Sequence, residues 1–306
     1  MIVLFESPGR VSAALRRSLE ASAAIAEILG FSVRAIAPHS EVQSATLALQ
    51  QIPPQPQPRP ALLLGRPSAA RYAELFAAAQ AKNLHLPNTP QQHQLAQELH
   101  RGKPLLSGLT PAIAMLERVE DIEGAIAQLG LPLVLQRSGP SGTPPGWPHN
   151  IGHTPNQARQ IAATLLKPES PAQEPVPPVL ARQWVDLRYH QTTPAGLPLG
   201  REFRVVLHNR DILTYGYAWP HDDPNRWLTI EDEEALFAVA IAVAERLDVP
   251  LLGVDIAQVQ SGEWIALKTV DPQFLGSPQM PLVQFWQAIA QIYGTDDRGT
   301  DACYEP

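Results

Sequence analysis

The first ninety residues alternate short apolar runs with longer segments of helical period. An alanine-rich stretch over 13–29 ends at Gly30, Ser68 has the position of a helix N-cap, and Ser40 with Gln43 predicts a capping box. Four apolar runs have the length of buried strands: 2–5, 31–36, 61–65 and 84–86. Strand–helix alternation at this spacing predicts a parallel sheet covered by helices, so residues 1–90 are expected to form an α/β domain.

A second unit of strands and helices is predicted over 91–178. Thr154-Pro155 marks a sharp helix start, and the proline-rich stretch that follows the helix, up to 178, is expected to be a linker. Elements before this helix are a helix over 92–101, a strand over 112–117, a helix over 119–129, a strand over 131–136 and a loop over 138–148 rich in glycine, serine and proline. The unit is therefore a small α/β lobe with one prominent loop.

A third unit, over 179–306, shows the clearest alternation of apolar and polar positions. In a strand predicted over 201–208, Phe203 and Val205 alternate with Glu202 and Arg204, so one face is apolar and the other charged. Further strands are predicted over 179–185, 211–219, 251–259 and 264–270, with helices over 230–247 and 281–293. The strands over 201–208, 251–259 and 264–270 are expected to share one antiparallel sheet whose polar face borders a cleft.

The last two strands are expected to form a hairpin. A turn at Ser261-Gly262 pairs Gln260 with Glu263, and counting back along both strands places Asp255 opposite Lys268 on the same face. Two interpretations remain open for this pair. It is either a simple cross-strand ion pair or a site at which the Lys268 ammonium supplies positive charge to a bound anion.

Composition narrows the class of protein. A chain of 306 residues with 44% hydrophobic residues can bury a core and divide into two or three lobes. A net charge of -7 argues against binding to nucleic acid or to an acidic membrane surface. The single cysteine, Cys303, excludes a disulfide framework and favours a cytoplasmic location, and no segment has the length of a membrane span.

The order of these elements resembles the ATP-grasp superfamily, and especially its carboxylate–amine ligases. Five stretches carry the resemblance: LPNTP (86–90), LPLVLQRSGPSG (131–142), ARQWVD (181–186), REFRVVLHNRDI (201–212) and GVDI (253–256) with the strand after it. The resemblance implies a pre-ATP-grasp domain over 1–90, a first ATP-grasp lobe over 91–178 and a second lobe with a C-terminal helix over 179–306. It implies ATP as the cofactor, held between the two lobes.

The resemblance also assigns roles to particular residues. Arg204 is expected to contact the reacting anion. The residues expected to hold the nucleotide are Gln136, Ser138, Ser141 and Gly142 around the phosphates, Gln183, Trp184 and Val185 around adenine, and Lys268. Asp255 and Asp271 are expected to hold any metal. The loop that contains Ser138, Ser141 and Gly142 is otherwise an ordinary surface turn.

Several positions depart from the family pattern. Gln136 stands where the resemblance implies a lysine, and Lys268 and Val270 stand where it implies a metal-binding glutamate and asparagine. These exchanges count against Mg²⁺, which phosphoryl transfer ordinarily uses. Two functions follow: an ATP-dependent ligase that joins a small-molecule or peptide carboxylate to an amine through an acyl phosphate, or an ATP-grasp protein that binds nucleotide or a protein partner without turnover. The oligomeric state is left open.

Overall fold

A parallel sheet forms the N-terminal domain, as the apolar runs predict. The computed structural model describes residues 1–6, 13–39, 41–65, 67–138, 150–168, 178–193, 198–220, 222–273 and 279–295. The elements of this domain are β1 (Ile2–Glu6), α1 (Ala13–Ile28), β2 (Ser32–Ile36), α2 (Ala45–Ala48), β3 (Arg59–Leu64), α3 (Ala69–Gln80) and β4 (Leu84–His85). The strand order is β2-β1-β3-β4, and every pair is parallel.

The helix caps of this domain agree with the sequence in part. Ser68 caps α3 by accepting a hydrogen bond from the Arg71 backbone N–H, as predicted. Ser40 lies outside the described residues, and the helix expected after it begins only at Ala45, where Ser44 accepts from the Leu47 backbone N–H. Four prolines lie between 53 and 58, so no helix forms there before β3 begins at Arg59.

Two short helices bridge the lobes of the molecule. The single helix predicted over 92–101 is broken into α4 (Pro90–Gln97) and α5 (Leu99–Gly102), because Glu98 between them has extended backbone angles. Leu99 packs against Ile113 and Leu180 of the following lobe, whereas Ala96 packs into the core of the last lobe. This segment therefore lies between the two later lobes and contacts both.

The first lobe is an antiparallel sheet covered by two helices. It contains β5 (Ile113–Leu116), α6 (Asp121–Leu129), β6 (Leu133–Arg137), β7 (Ile151–Gly152), α7 (Pro155–Leu165) and β8 (Val179–Gln183), with strand order β5-β8-β6-β7. The sequence division at 178/179 assigned β8 to the following unit. In the structure β8 pairs with β5 on one side and β6 on the other, and therefore completes the first-lobe sheet.

The second lobe carries the antiparallel sheet predicted from the polar–apolar alternation. Its elements are β9 (Tyr189–Thr192), β10 (Pro198–Gly200), β11 (Glu202–His208), β12 (Asp211–Tyr217), α8 (Ile230–Leu247), β13 (Leu251–Gln258), β14 (Trp264–Val270) and α9 (Leu282–Tyr293). The order β12-β11-β13-β14 places the three expected strands in one sheet. Phe203, Val205 and Leu207 point into a core shared with α8, which leaves Glu202 and Arg204 on the opposite face.

The β13–β14 hairpin reaches the predicted pairing by a different route. At the turn, Gln258 pairs with Trp264, one residue away from the register that a tight Ser261-Gly262 turn would impose. A bulge after Asp255 restores the register, so that Asp255 lies opposite Lys268 as predicted. Without this bulge, the charged residue of β14 would lie on the apolar face.

The N-terminal domain is joined firmly to the second lobe. Met1 and Val3 share an apolar cluster with Val206 of β11 and with Phe285 and Trp286 of α9. A second contact is polar, because the Asn88 side chain donates to the Leu251 carbonyl (2.8 Å) and accepts from the Leu251 N–H (2.9 Å). Among the described helices, none combines the length and apolar character that crossing a bilayer requires.

Candidate functional site

Three charged side chains form a row across the second-lobe sheet. Arg204 on β11 lies opposite Asp255 on β13, and Asp255 lies opposite Lys268 on β14. The Arg204 guanidinium donates two hydrogen bonds to the two oxygens of Asp255, at 2.6 and 2.8 Å. Arg204 and Asp255 are 12% and 22% exposed, so the pair is partly withdrawn from water, whereas Lys268 is exposed. We call these three residues the charged row.

The charges of the row set the ionisation of its carboxylate. Burial opposes the ionised form of Asp255, but Arg204 and, less strongly, Lys268 outweigh it and keep the pKa of Asp255 below its usual value. Burial also lowers the pKa of Arg204, but Asp255 more than reverses that effect. The row therefore carries two cations around one carboxylate and has a net positive charge.

The facing wall of the cleft belongs to the first lobe. Gln136 on β6 and Arg182 on β8 lie on the same face of the first-lobe sheet, the face opposite α6 and α7, because Gln136 pairs with Leu180 and Arg182 with Val134. Burial lowers the pKa of Arg182 to about 10, and the carboxylate of Glu202 on the second lobe partly opposes this shift. Arg182 and Glu202 therefore approach each other across the cleft.

Glu202 is the most strongly perturbed carboxyl group in this cleft. Burial and the Asp255 carboxylate raise the pKa of Glu202 to about 8, and Arg182 only partly offsets them. At neutral pH its carboxyl group is consequently mostly protonated. Glu202 shares a strand face with Arg204, but the guanidinium of Arg204 is paired with Asp255, so a simple Glu202–Arg204 pair does not describe this face.

Only the first residue of the expected phosphate loop belongs to the described chain. Ser138 directly follows β6, is 5% exposed, and places its Oγ 2.5 Å from Nδ1 of His100 on α5. Its backbone N–H donates to the Pro178 carbonyl at 2.7 Å. Ser141 and Gly142, which were predicted to contact phosphate, lie outside the described residues.

The hinge between the lobes follows β8. Gln183 pairs with Leu133, so its side chain lies on the face opposite Gln136, and the Trp184 indole donates to Asp186 at 2.7 Å. Val185 borders a cavity of about 440 Å³, a volume within the usual range for small-molecule sites. Its lining is Gly108, Leu109, Thr110, Pro111, Val185, Asp186, Val259, Gln260, Ser261, Glu263 and Ile265. None of the charged row lines it.

The two aspartates expected to share a metal have separate surroundings. Asp271 is fully buried, where it contacts Nδ1 of His93 at 2.8 Å and accepts from the Gln273 amide at 2.8 Å. Gln273 in turn bonds to Tyr72 and to the Leu63 N–H of β3, so Asp271 ties β14 to the N-terminal domain. Asp255 is the only one of the two in the charged row.

The donor set of the cleft does not fit a magnesium centre. Mg²⁺ requires oxygen ligands in octahedral geometry, whereas both oxygens of Asp255 already accept from Arg204, and an ammonium faces them from Lys268. Within the described ranges, no three His, Cys, Asp or Glu side chains come together as metal ligands would. Both observations concern the residues that the structure describes.

Sequence reasoning missed Arg182 and His100. Arg182 interrupts an otherwise apolar strand at a position that alternates with Leu180, and a charge inside a buried strand is a signal that could have been used. His100 was placed in a continuous helix, which hides its approach to Ser138. That contact depends on the break at Glu98, and no turn residue marks this break in the sequence.

The fold and this cleft define the class of protein. The chain is similar to an ATP-grasp protein with a RimK domain from Sphaerobacter thermophilus (19% identity, 96% of this chain and 95% of that one, TM-score 0.55). It is also similar to D-alanine–D-alanine ligase from Bacillus anthracis (15% identity, 96% and 94%, TM-score 0.63). The ATP complex of that ligase matches as well (13% identity, 95% and 96%, TM-score 0.61). At these identities the likeness establishes the ATP-grasp fold.

A family profile identifies the chain more closely. Residues 115–289 match the profile of an ATP-grasp domain, the third family of its clade, and this is more than half of the sequence. The protein therefore belongs to that ATP-grasp family. No curated protein sequence matches it.

Proposed function

We propose that this protein binds ATP between its two lobes and uses it to join a carboxylate to an amine. The observation that carries the proposal is the charged row, in which Arg204 and Lys268 flank Asp255 on the face that meets the first lobe. Guanidinium and ammonium groups are the side chains that bind phosphate oxygens. The resemblance of the fold to ligases, one of them solved with ATP, supports the same conclusion.

In the proposed reaction, an oxygen of the carboxylate substrate attacks the γ-phosphorus and the bond to ADP breaks. The amine then attacks the carbonyl carbon of the acyl phosphate, phosphate leaves, and the nitrogen loses a proton. Arg204 and Lys268 hold the phosphate oxygens and offset their charge, Gln136 and Ser138 border the phosphates, and the hinge from Gln183 to Val185 borders adenine. The substrates are small-molecule or peptide carboxylates and amines.

A second candidate function is nucleotide binding without turnover. It is favoured by one observation: the donor set around Asp255 does not fit the metal that phosphoryl transfer ordinarily uses. In that case the charged row binds the triphosphate as an anion, and closure of the lobes around it is the functional event. Binding of ATP is common to both candidates, so turnover separates them.

Hydroxylamine trapping tests the acyl phosphate directly. The protein is incubated with ATP, hydroxylamine and a panel of carboxylates, with and without magnesium, while hydroxamate and ADP are measured. A ligase produces both in equal amounts with a subset of carboxylates. Arg204→Gln should lower the rate by about 10- to 100-fold, the effect of losing one charge-assisted contact, whereas Arg210→Gln, an exposed arginine after β11, should leave it unchanged. ATP binding without ADP formation would favour the second candidate.

A further inference from the structure

A serine, a histidine and a carboxylate are aligned at the end of β6. Ser138 Oγ lies 2.5 Å from Nδ1 of His100, and Nε2 of the same ring lies 3.7 Å from Oε2 of Glu98. His100 and Glu98 are 15% and 19% exposed, and Ser138 is 5% exposed, so the relay is largely shielded from water. Arg101 also donates to Glu98, at 2.5 Å, and holds this carboxylate beside the ring.

The order of contacts assigns a direction to proton transfer. A carboxylate beside Nε2 favours the tautomer with its proton on Nε2, which leaves Nδ1 free to accept from a hydroxyl group. Ser138 Oγ is the hydroxyl at that nitrogen. Burial lowers the pKa of His100, while Glu98 raises it and Arg101 lowers it, with a net decrease. The imidazole is therefore neutral near pH 7, as a general base must be.

We propose that Ser138 is a nucleophile activated by His100, and that it accepts an acyl group from an activated carboxylic acid derivative. A Ser–His–acid relay at hydrogen-bonding distance is the arrangement that converts a weak hydroxyl nucleophile into a reactive one. In the step proposed, Oγ attacks the carbonyl carbon and its proton passes to Nδ1 of His100. The bond from that carbon to the leaving oxygen breaks, the leaving group departs with the electron pair, and a serine ester remains.

The position of the relay gives it access to such donors. Ser138 directly follows β6, the strand that carries Gln136 on the cleft face, and His100 belongs to α5, which packs between the two lobes. The acyl group would therefore be accepted at the cleft itself. This activity goes beyond the proposed ligase function, because it requires neither nucleotide nor the charged row. Its test can therefore fail or succeed independently of ATP chemistry.

The test uses p-nitrophenyl acetate as a small acyl donor, without nucleotide. Release of p-nitrophenolate is followed by absorbance, and the acetylated residue is located by peptide mass spectrometry. Acetyl transfer to Ser138 is expected and should be absent in Ser138→Ala. His100→Ala should lower the rate about 100- to 10,000-fold, the usual contribution of a general base. His85→Ala and Ser107→Ala, changes at exposed residues away from the relay, are matched controls that should react normally.

The pH profile of the unmodified protein provides a second measurement if a variant fails to fold. The acylation rate should rise with pH as His100 loses its proton and should level off at a lower pH than a free imidazole would give. Acetylation at residues other than Ser138, an unchanged rate in a folded His100→Ala protein, or a rate that rises with hydroxide without a plateau would each overturn the proposal. In those cases the contact only anchors the end of β6.

Discussion

Asp255 is the residue around which the other charges of the cleft are arranged. It accepts both hydrogen bonds from Arg204 and faces Lys268 on the next strand. The sequence alone predicted the Asp255–Lys268 pairing, but not the bidentate pair with Arg204, because strand pairing between β11 and β13 is not encoded by a local turn. Removing one partner of such a shielded pair is expected to cost more than removing an exposed charge.

Lys268→Glu tests whether the ammonium serves as the counter-charge for phosphate. If it does, the variant should lose ATP binding in the absence of metal and acquire a magnesium requirement, because two carboxylates then face each other across the hairpin. If Lys268 is only an ion-pair partner, the cost should be about 0.2–1 kcal/mol of stability, with ATP affinity unchanged. Thermal melts and ATP titrations distinguish these outcomes. Lys167→Glu makes the same charge change beyond α7 and serves as the control.

Glu202 should make stability depend on pH. Its pKa is raised to about 8, well above that of a carboxyl group in an unfolded chain, so the folded state binds a proton that the unfolded state has released. Stability from this group is complete at acidic pH and is lost as the pH rises towards 8, with a slope of at most about 1.4 kcal/mol per pH unit. Glu202→Gln should flatten this slope between pH 5 and 8 in denaturant titrations. An unaltered slope would mean that Glu202 is ionised in the folded protein.

Among the strands, β12 has a packing requirement that the sequence does not announce. Gly216 pairs with Arg204, and a Cβ added to it would lie 2.5 Å from the Gln279 carbonyl and 2.8 Å from the Met280 Cα. The backbone before α9 crosses β12 at this point, so a side chain there would displace it. The sequence revealed the strand and the helix but not their crossing.

Gly216→Ala is therefore expected to destabilise the protein by about 1–3 kcal/mol, the usual cost of overpacking. Gly124→Ala is the matched control, because nothing lies within 4 Å of its added Cβ and the site is inside α6. That change should stabilise the protein by about 0.5–1 kcal/mol through helix propensity. Denaturant midpoints compare the two variants. Equal effects would show that the segment before α9 does not press on β12.

The order of elements in the whole molecule was predictable, whereas the assignment of β8 was not. Apolar runs, caps and turns located nearly all strands and helices, because those signals are local. The linker before β8 suggested a boundary at 178, yet β8 pairs with β5 and β6, which lie far earlier in the chain. The short strands β9 and β10 were missed because their residues include exposed polar side chains with no apolar alternation.

The same limit applies to the cleft. Sequence patterns placed Arg204, Asp255 and Lys268 on one face because alternation and a hairpin turn determine faces. They could not place Asp271, whose direction changes after β14 ends at Val270. The structure places its carboxylate against His93 of α4 instead of in the cleft. Contacts between distant elements decide such positions.

Calorimetric titration of ATP into the unmodified protein tests the central claim most directly. The claim is that the cations of the cleft, with no magnesium centre, receive the triphosphate. Binding should persist in EDTA, and its dissociation constant should change by less than about tenfold, or 1.4 kcal/mol, when magnesium is added. Binding that appears only with magnesium and vanishes on chelation would contradict the claim, and so would a lack of binding under both conditions.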